Sequence, residues 1–130
     1  MVARGLTGLI GLVMGLIAIN WIVNPADAAA SLAMPLLDGA ARSTQVGDFT
    51  SFFVCVAGFA LYGAWRQESV WLIPSAALLL SAAVFRTLAW AMHGAAFATA
   101  AVAVEILFGG ILIYAMKAFA KSAKTASPAP

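Results

Sequence analysis

Four apolar runs of about 20 residues, parted by short breaks that hold most of the charge, leave this chain few ways to fold. Each run can cross about 30 Å of hydrocarbon as a helix rising about 1.5 Å per residue. Of the 130 residues, 64% are apolar and 9% charged, a balance with which a soluble domain could not cover its own surface. The spans fall at about residues 4–24, 47–66, 70–92 and 95–117. A closed β-barrel is the other structure that satisfies backbone polar groups in lipid. It needs alternating apolar and polar residues, which runs such as Ala76-Ala77-Leu78-Leu79-Leu80 lack.

The expected fold is an all-α membrane protein, a four-transmembrane-helix up-down-up-down bundle over residues 1–118 with a disordered cytoplasmic tail at 119–130. The connections at Arg66-Gln67-Glu68-Ser69 and around His93-Gly94 are short enough to make their helices antiparallel neighbours. Pro25 to Val46 is the one long connection. Asn24-Pro25 reads as an N-cap and a first-turn proline, so a short interfacial helix at about 25–34 is expected to end at Pro35, with Leu32, Met34, Leu36 and Leu37 dipping into the membrane interface. Arg4 and Ala26-Asp27-Ala28 resemble a cleavable signal peptide, but the apolar core exceeds the usual 7 to 15 or so residues and suits a retained span.

Orientation follows from the cations. Arg4, Arg66, Lys117, Lys121 and Lys124 fall on one side and Arg42 on the other, so the positive-inside bias puts both termini in the cytoplasm. The lysine cluster reads as a topology and headgroup signal, not as a nucleic-acid surface. Trp65, Trp71 and Tyr114 would line the inner interface, and Trp21 and Trp90 the outer one.

Ionisable groups inside a membrane cost about 2.5 to 3.5 kcal/mol each on insertion scales, so those that persist tend to face the bundle and find partners. Counting from the turns, Arg86 lies level with about residue 103 of the fourth span and about residue 49 of the second. Asn20, Asp48, Arg86 and Glu105 are therefore expected to meet in one buried layer, where a guanidinium with its five donors can serve two carboxylates and an amide. Arg86 shares a face with Leu79, Ala82, Ala83, Trp90 and His93, and Glu105 with Ala98, Ala101, Val102, Phe108 and Gly109. Three readings of the layer stand open. It is an ion-pair knot that fixes helix register, or Arg86 snorkels about 9 Å to the outer surface, or the layer grips a polar headgroup at the mouth of an apolar cleft.

No catalytic set, metal site or cofactor is expected. His93 is the sole histidine and reads as an interface residue; Cys55 is the sole cysteine and reads as a small buried hydrophobe. Gly8, Gly11 and Gly15 form a stripe on the first span that lies opposite Asn20 by helical phase. If Asn20 points inward, these helix-contact glycines look outward, toward another membrane protein or a second copy of the chain. The leading expectation is a non-enzymatic membrane protein acting through helix-helix contacts, as an accessory or assembly subunit or as a homo-oligomer. The alternative is a binder or carrier of a lipid-like molecule whose headgroup the Arg86 cluster holds.

Asn24-Pro25 at the end of the first span, Arg42, Gly47-Asp48, the stretch Ala57-Gly58-Phe59-Ala60-Leu61-Tyr62-Gly63, Arg86 and Glu105 together resemble a bacterial family of small four-span membrane proteins catalogued as a domain of unknown function. The resemblance covers about residues 4–118 and implies a bacterial inner-membrane protein with no activity attached. Glutathione-linked eicosanoid enzymes, another four-span family, fit less well, because residues 48–65 lack the polar motifs of their second helix.

Overall fold

The computed structural model describes residues 1–126 and is all-helical there. Its elements are α1 (Val2–Val23), α2 (Pro25–Ser31), α3 (Gly39–Arg66), a 3₁₀ turn (Ser69–Leu72), α4 (Ile73–His93) and α5 (Thr99–Ala126). Four helices are long and apolar enough to cross a membrane: α1, α3, α4 together with its leading 3₁₀ turn, and α5.

Small residues set the packing. α1 lies mainly along α3, and α4 mainly along α5. Gly11 sits directly over Leu61 and Gly15 over Ala57, so the α1 backbone approaches α3 as a side chain at Gly11 would forbid. Gly109 of α5 likewise receives Leu80 of α4. Near the α3–α4 connection, Gly63 takes Leu72 and the Ser75 hydroxyl donates to the Val56 carbonyl at 2.9 Å. Outward-facing positions are large and apolar, among them Leu9, Leu12 and Leu16 on α1, Val84 and Leu88 on α4, and Ile106 and Leu107 on α5.

The glycine stripe is therefore an internal seam, contrary to the outward facing expected from the sequence. Gly11 is buried against α3, and Gly8, with no atom near its missing Cβ, continues the stripe half-buried. Helical phase turns the glycines outward only if Asn20 is the inward residue. Its neighbour Trp21 holds that position, fully buried and stacked on Phe49 at 4.8 Å between ring centroids. Trp21 is thus a core residue and not an interface marker, whereas Trp65, Trp90 and Tyr114 are exposed.

The helix that carries the second span starts earlier than hydropathy suggests, because α3 begins at Gly39. Ala40 to Gln45 contain good helix formers, and a helix needs only its own backbone bonds where lipid is absent. Gln45 is buried: its amide oxygen accepts the Leu37 N–H at 3.0 Å, and its NH₂ donates to the Pro35 carbonyl at 3.1 Å. Arg42 adds a bond from Nε to the Leu37 carbonyl at 2.7 Å and an ion pair with Asp38. The connecting segment is thereby pinned to α3. α2 buries Ala28 and Ala29, and Leu32, Met34 and Leu36 pack against the core; only Leu37 is exposed, so the dipping of all four side chains into the interface is not what forms.

α2 ends in a Schellman motif. Ala33 N–H donates to the Ala30 carbonyl and Met34 N–H to the Ala29 carbonyl, which requires Ala33 at φ +58°. A left-handed alanine costs about 1–2 kcal/mol that glycine does not incur. Ala33→Gly is accordingly expected to stabilise the protein by about 1 kcal/mol, measured by thermal unfolding in detergent.

At the opposite end of α3, Glu68 accepts Trp71 Nε1–H at 2.8 Å and two bonds from Arg66 at 3.0 and 3.2 Å. The indole bond, then the guanidinium, hold this carboxyl below its ordinary range. The resulting stabilisation is present above the ordinary carboxylate pKa and is lost as pH falls through the lowered one.

α5 continues to Ala126, eight residues past the boundary drawn at 118. Residues 119–126 are helical instead of disordered because Phe119 is buried and the flanking alanines and lysines favour helix. The rest of the expected disordered tail, 127–130, lies outside the described residues.

Candidate functional site

Near the α3–α4 connection, alanines, Gly63 and Ser75 let α3 and α4 touch. Further along, Phe49, Phe52 and Phe53 on α3 and Phe85 on α4 hold the helices apart. The result is a cleft of about 390 Å³ that Asp48, Ala82, Arg86 and Ala89 complete. A second cleft of about 270 Å³ lies on the other side of Arg86, among α1, the end of α2, α3, α4 and α5; Met14, Leu32, Phe53, Leu79 and Glu105 are in its wall. Arg86 borders both.

Arg86 stands one turn past Ala82 and Ala83, whose small side chains leave room for a guanidinium. Glu105 lies on the buried stripe of α5 with Val102, Gly109 and Leu112. Arg86 Nε donates to Glu105 Oε1 at 2.8 Å, a charge-assisted bond. The Glu105 side chain is 9% exposed and the Arg86 side chain 32%. Two groups in the pair are unspent among the described residues: Glu105 Oε2 is buried with no partner, and the remaining guanidinium N–H groups meet no protein acceptor.

Of the four side chains expected to form one layer, the structure joins two. Asp48 is exposed and makes no ion pair among the described residues, although it shares the larger cleft with Arg86. The inward positions of α3 at this depth belong to Gln45, Phe49 and Phe53, and Asp48, next to Phe49, is turned about 100° from them. Asn20 is half-buried and its side chain bonds to none of the other three. Trp21 displaces it from the interior, and its buried Nε1–H is itself without an acceptor. The Arg86–Glu105 pairing inferred from relative depth is present; the amide and the second carboxylate are not part of it.

The aromatic cleft is a feature that counting charges could not find. Its signal was the run of Phe49, Phe52 and Phe53 opposite the Ala82, Arg86, Ala89 stripe, visible once the two helices are laid side by side. Cys55 is exposed and not a buried hydrophobe; it lines a separate shallow hollow with Phe59, Tyr62 and Trp71. No cluster of three or more His, Cys, Asp or Glu side chains that could hold a metal occurs among the described residues.

Comparison of the chain with models of known families, with curated proteins and with solved structures gives no match in any of the three.

Proposed function

We propose that this is an integral membrane protein that binds a lipid-like molecule, seating apolar chain in the cleft between α3 and α4 and holding a polar head at Arg86. The observation that carries this is Arg86 itself. It is a cation with unspent donors set in the wall of two clefts whose other lining, apart from Asp48, Ser31 and Glu105, is apolar and aromatic. Ligand sites commonly combine such walls with a few convergent polar groups in about 300–1,000 Å³.

The arrangement in the membrane follows the same contacts. Gly11 with Leu61 and Gly15 with Ala57 run in opposite directions along α1 and α3, as do Leu80 with Gly109 and Arg86 with Glu105 along α4 and α5. These pairs support an up-down-up-down bundle. Arg4 and Trp65 border one hollow at the end where α3 stops, which supports gathering Arg4, Arg66 and the α5 lysines on a single cytoplasmic side with both termini. α2, with alanines buried and Asp27 exposed, caps the outer end. The family resemblance supports a bacterial inner membrane as the location. An accessory or self-associating role rests in part on outward glycines, and α3 covers Gly11 and Gly15.

Gentle extraction followed by native mass spectrometry tests the reading. Wild-type protein is expected to keep one amphiphile per chain. Arg86→Gln should lose it, and so should Ala89→Phe, which fills the cleft without touching the ion pair. Wild-type protein that emerges bare would overturn the proposal.

A further inference from the structure

We infer that the head held by this site carries both a phosphate diester and a primary ammonium, as an aminophospholipid of the phosphatidylethanolamine type does. The inference rests on the lipid-binding reading and extends it from the apolar cleft to the chemistry of the head.

The starting point is an imbalance. Glu105 spends Oε1 on Arg86 Nε and has nothing for Oε2, although its side chain is nine-tenths buried. A buried carboxylate oxygen without a donor forfeits its hydration uncompensated. Glu105 lies in the wall of the smaller cleft, and the terminal torsion of a glutamate is broad, so a small turn presents Oε2 to a donor placed there. Apart from Arg86 and Ser31, whose hydroxyl donates to the Ala28 carbonyl, the rest of that wall is aliphatic and aromatic, and once a phosphate takes the free Arg86 N–H groups the ligand is the source of the donor.

Charge narrows the donor's identity. Arg86 and Glu105 cancel, and Asp48 at the larger cleft leaves the site one negative charge in excess. A head with a net negative charge would add to that excess, whereas a zwitterionic head does not. Its phosphate meets the free guanidinium N–H groups, which present two or more donors in a planar fork. Its ammonium meets Glu105 Oε2. A primary ammonium supplies N–H donors; a quaternary one has none and would leave Oε2 as it is.

The test uses the full-length protein, delipidated in detergent and then exposed in turn to nanodiscs of phosphatidylethanolamine, phosphatidylcholine and phosphatidylglycerol with identical acyl chains. Retained lipid is counted by native mass spectrometry. Wild type is expected to retain phosphatidylethanolamine over phosphatidylcholine by about tenfold, the scale of one charge-assisted hydrogen bond. Glu105→Gln, which keeps an acceptor for Arg86 Nε, should still retain lipid but lose that preference, with unchanged helix content and elution volume. Equal retention of the ethanolamine and choline lipids by wild type, or preference for the glycerol lipid, would overturn this inference and leave the lipid-binding reading standing. Failure of wild type to retain any of the three would remove the reading beneath it. The wild-type comparison needs no variant to fold.

Discussion

Glu105→Ala is expected to lower the unfolding free energy by about 3–5 kcal/mol, while replacing both partners together, Arg86→Met with Glu105→Leu, should cost little or even stabilise. The reason is the asymmetry between removing a buried pair and breaking it. Desolvating two charges consumes most of what their attraction returns, so an apolar pair of similar volume does nearly as well. A lone charge has no such compensation. Arg86→Ala should be the more damaging of the two single changes, because it strands the more deeply buried partner, with Glu105 9% and Arg86 32% exposed. A guanidinium on a long stem can also tilt toward headgroups, as a glutamate cannot. Reversible unfolding in mixed micelles with rising SDS fraction measures all of these forms, and adding Arg86→Ala combined with Glu105→Ala closes a double-mutant cycle that gives the coupling. No loss in Glu105→Ala would mean that Arg86 is solvated from the membrane surface and owes nothing to Glu105.

The same pair shows what depth alone could reveal. Level could be counted from the turns, since rise per residue is fixed and short connections leave little slack, and Arg86 does meet Glu105. Facing could not be counted so safely. A helix turns about 100° per residue, so a one-residue error in the inward position redirects every neighbour. With Asn20 inward in place of Trp21 the glycines face out, and a second span read from Gly47 omits Gln45, the head of the stripe of Gln45, Phe49, Phe53, Val56 and Ala60 that fixes which way Asp48 points. Hydropathy marks the stretch of helix suited to lipid. It is blind to helix that continues beyond, as at residues 39–46 of α3 and 119–126 of α5. The inward Gln45 lay within a polar run, Arg42-Ser43-Thr44-Gln45, that composition reads as solvated. Its value to the fold lies in backbone groups of the connecting segment, Leu37 N–H and the Pro35 carbonyl, which no side-chain pattern records.

Because glycine at the α1–α3 seam is a steric requirement, Gly11→Ala should destabilise the protein by about 1–3 kcal/mol and Gly11→Leu by more. A Cβ at Gly11 would stand 2.6 Å from Leu61 Cγ and 3.0 Å from the Leu61 backbone nitrogen. The Leu61 methyls can rotate away, but its backbone cannot, so α1 has to lift from α3. That displacement reaches Gly15 over Ala57 and the Trp21–Phe49 stack further along the same seam. Alanine recovers up to about 1 kcal/mol of helix propensity over glycine, which is less than the separation costs. Gly8 supplies the control. Nothing lies within 4 Å of the position its Cβ would take, so Gly8→Ala has the propensity gain without the clash and should be neutral or mildly stabilising. Detergent unfolding of the two alanine variants, read beside their mass in solution, separates the internal seam from an external one. An internal seam lowers stability in Gly11→Ala alone and leaves the mass unchanged. Glycines serving a contact between chains would instead shift the mass in both variants and leave the unfolding of each chain where it was.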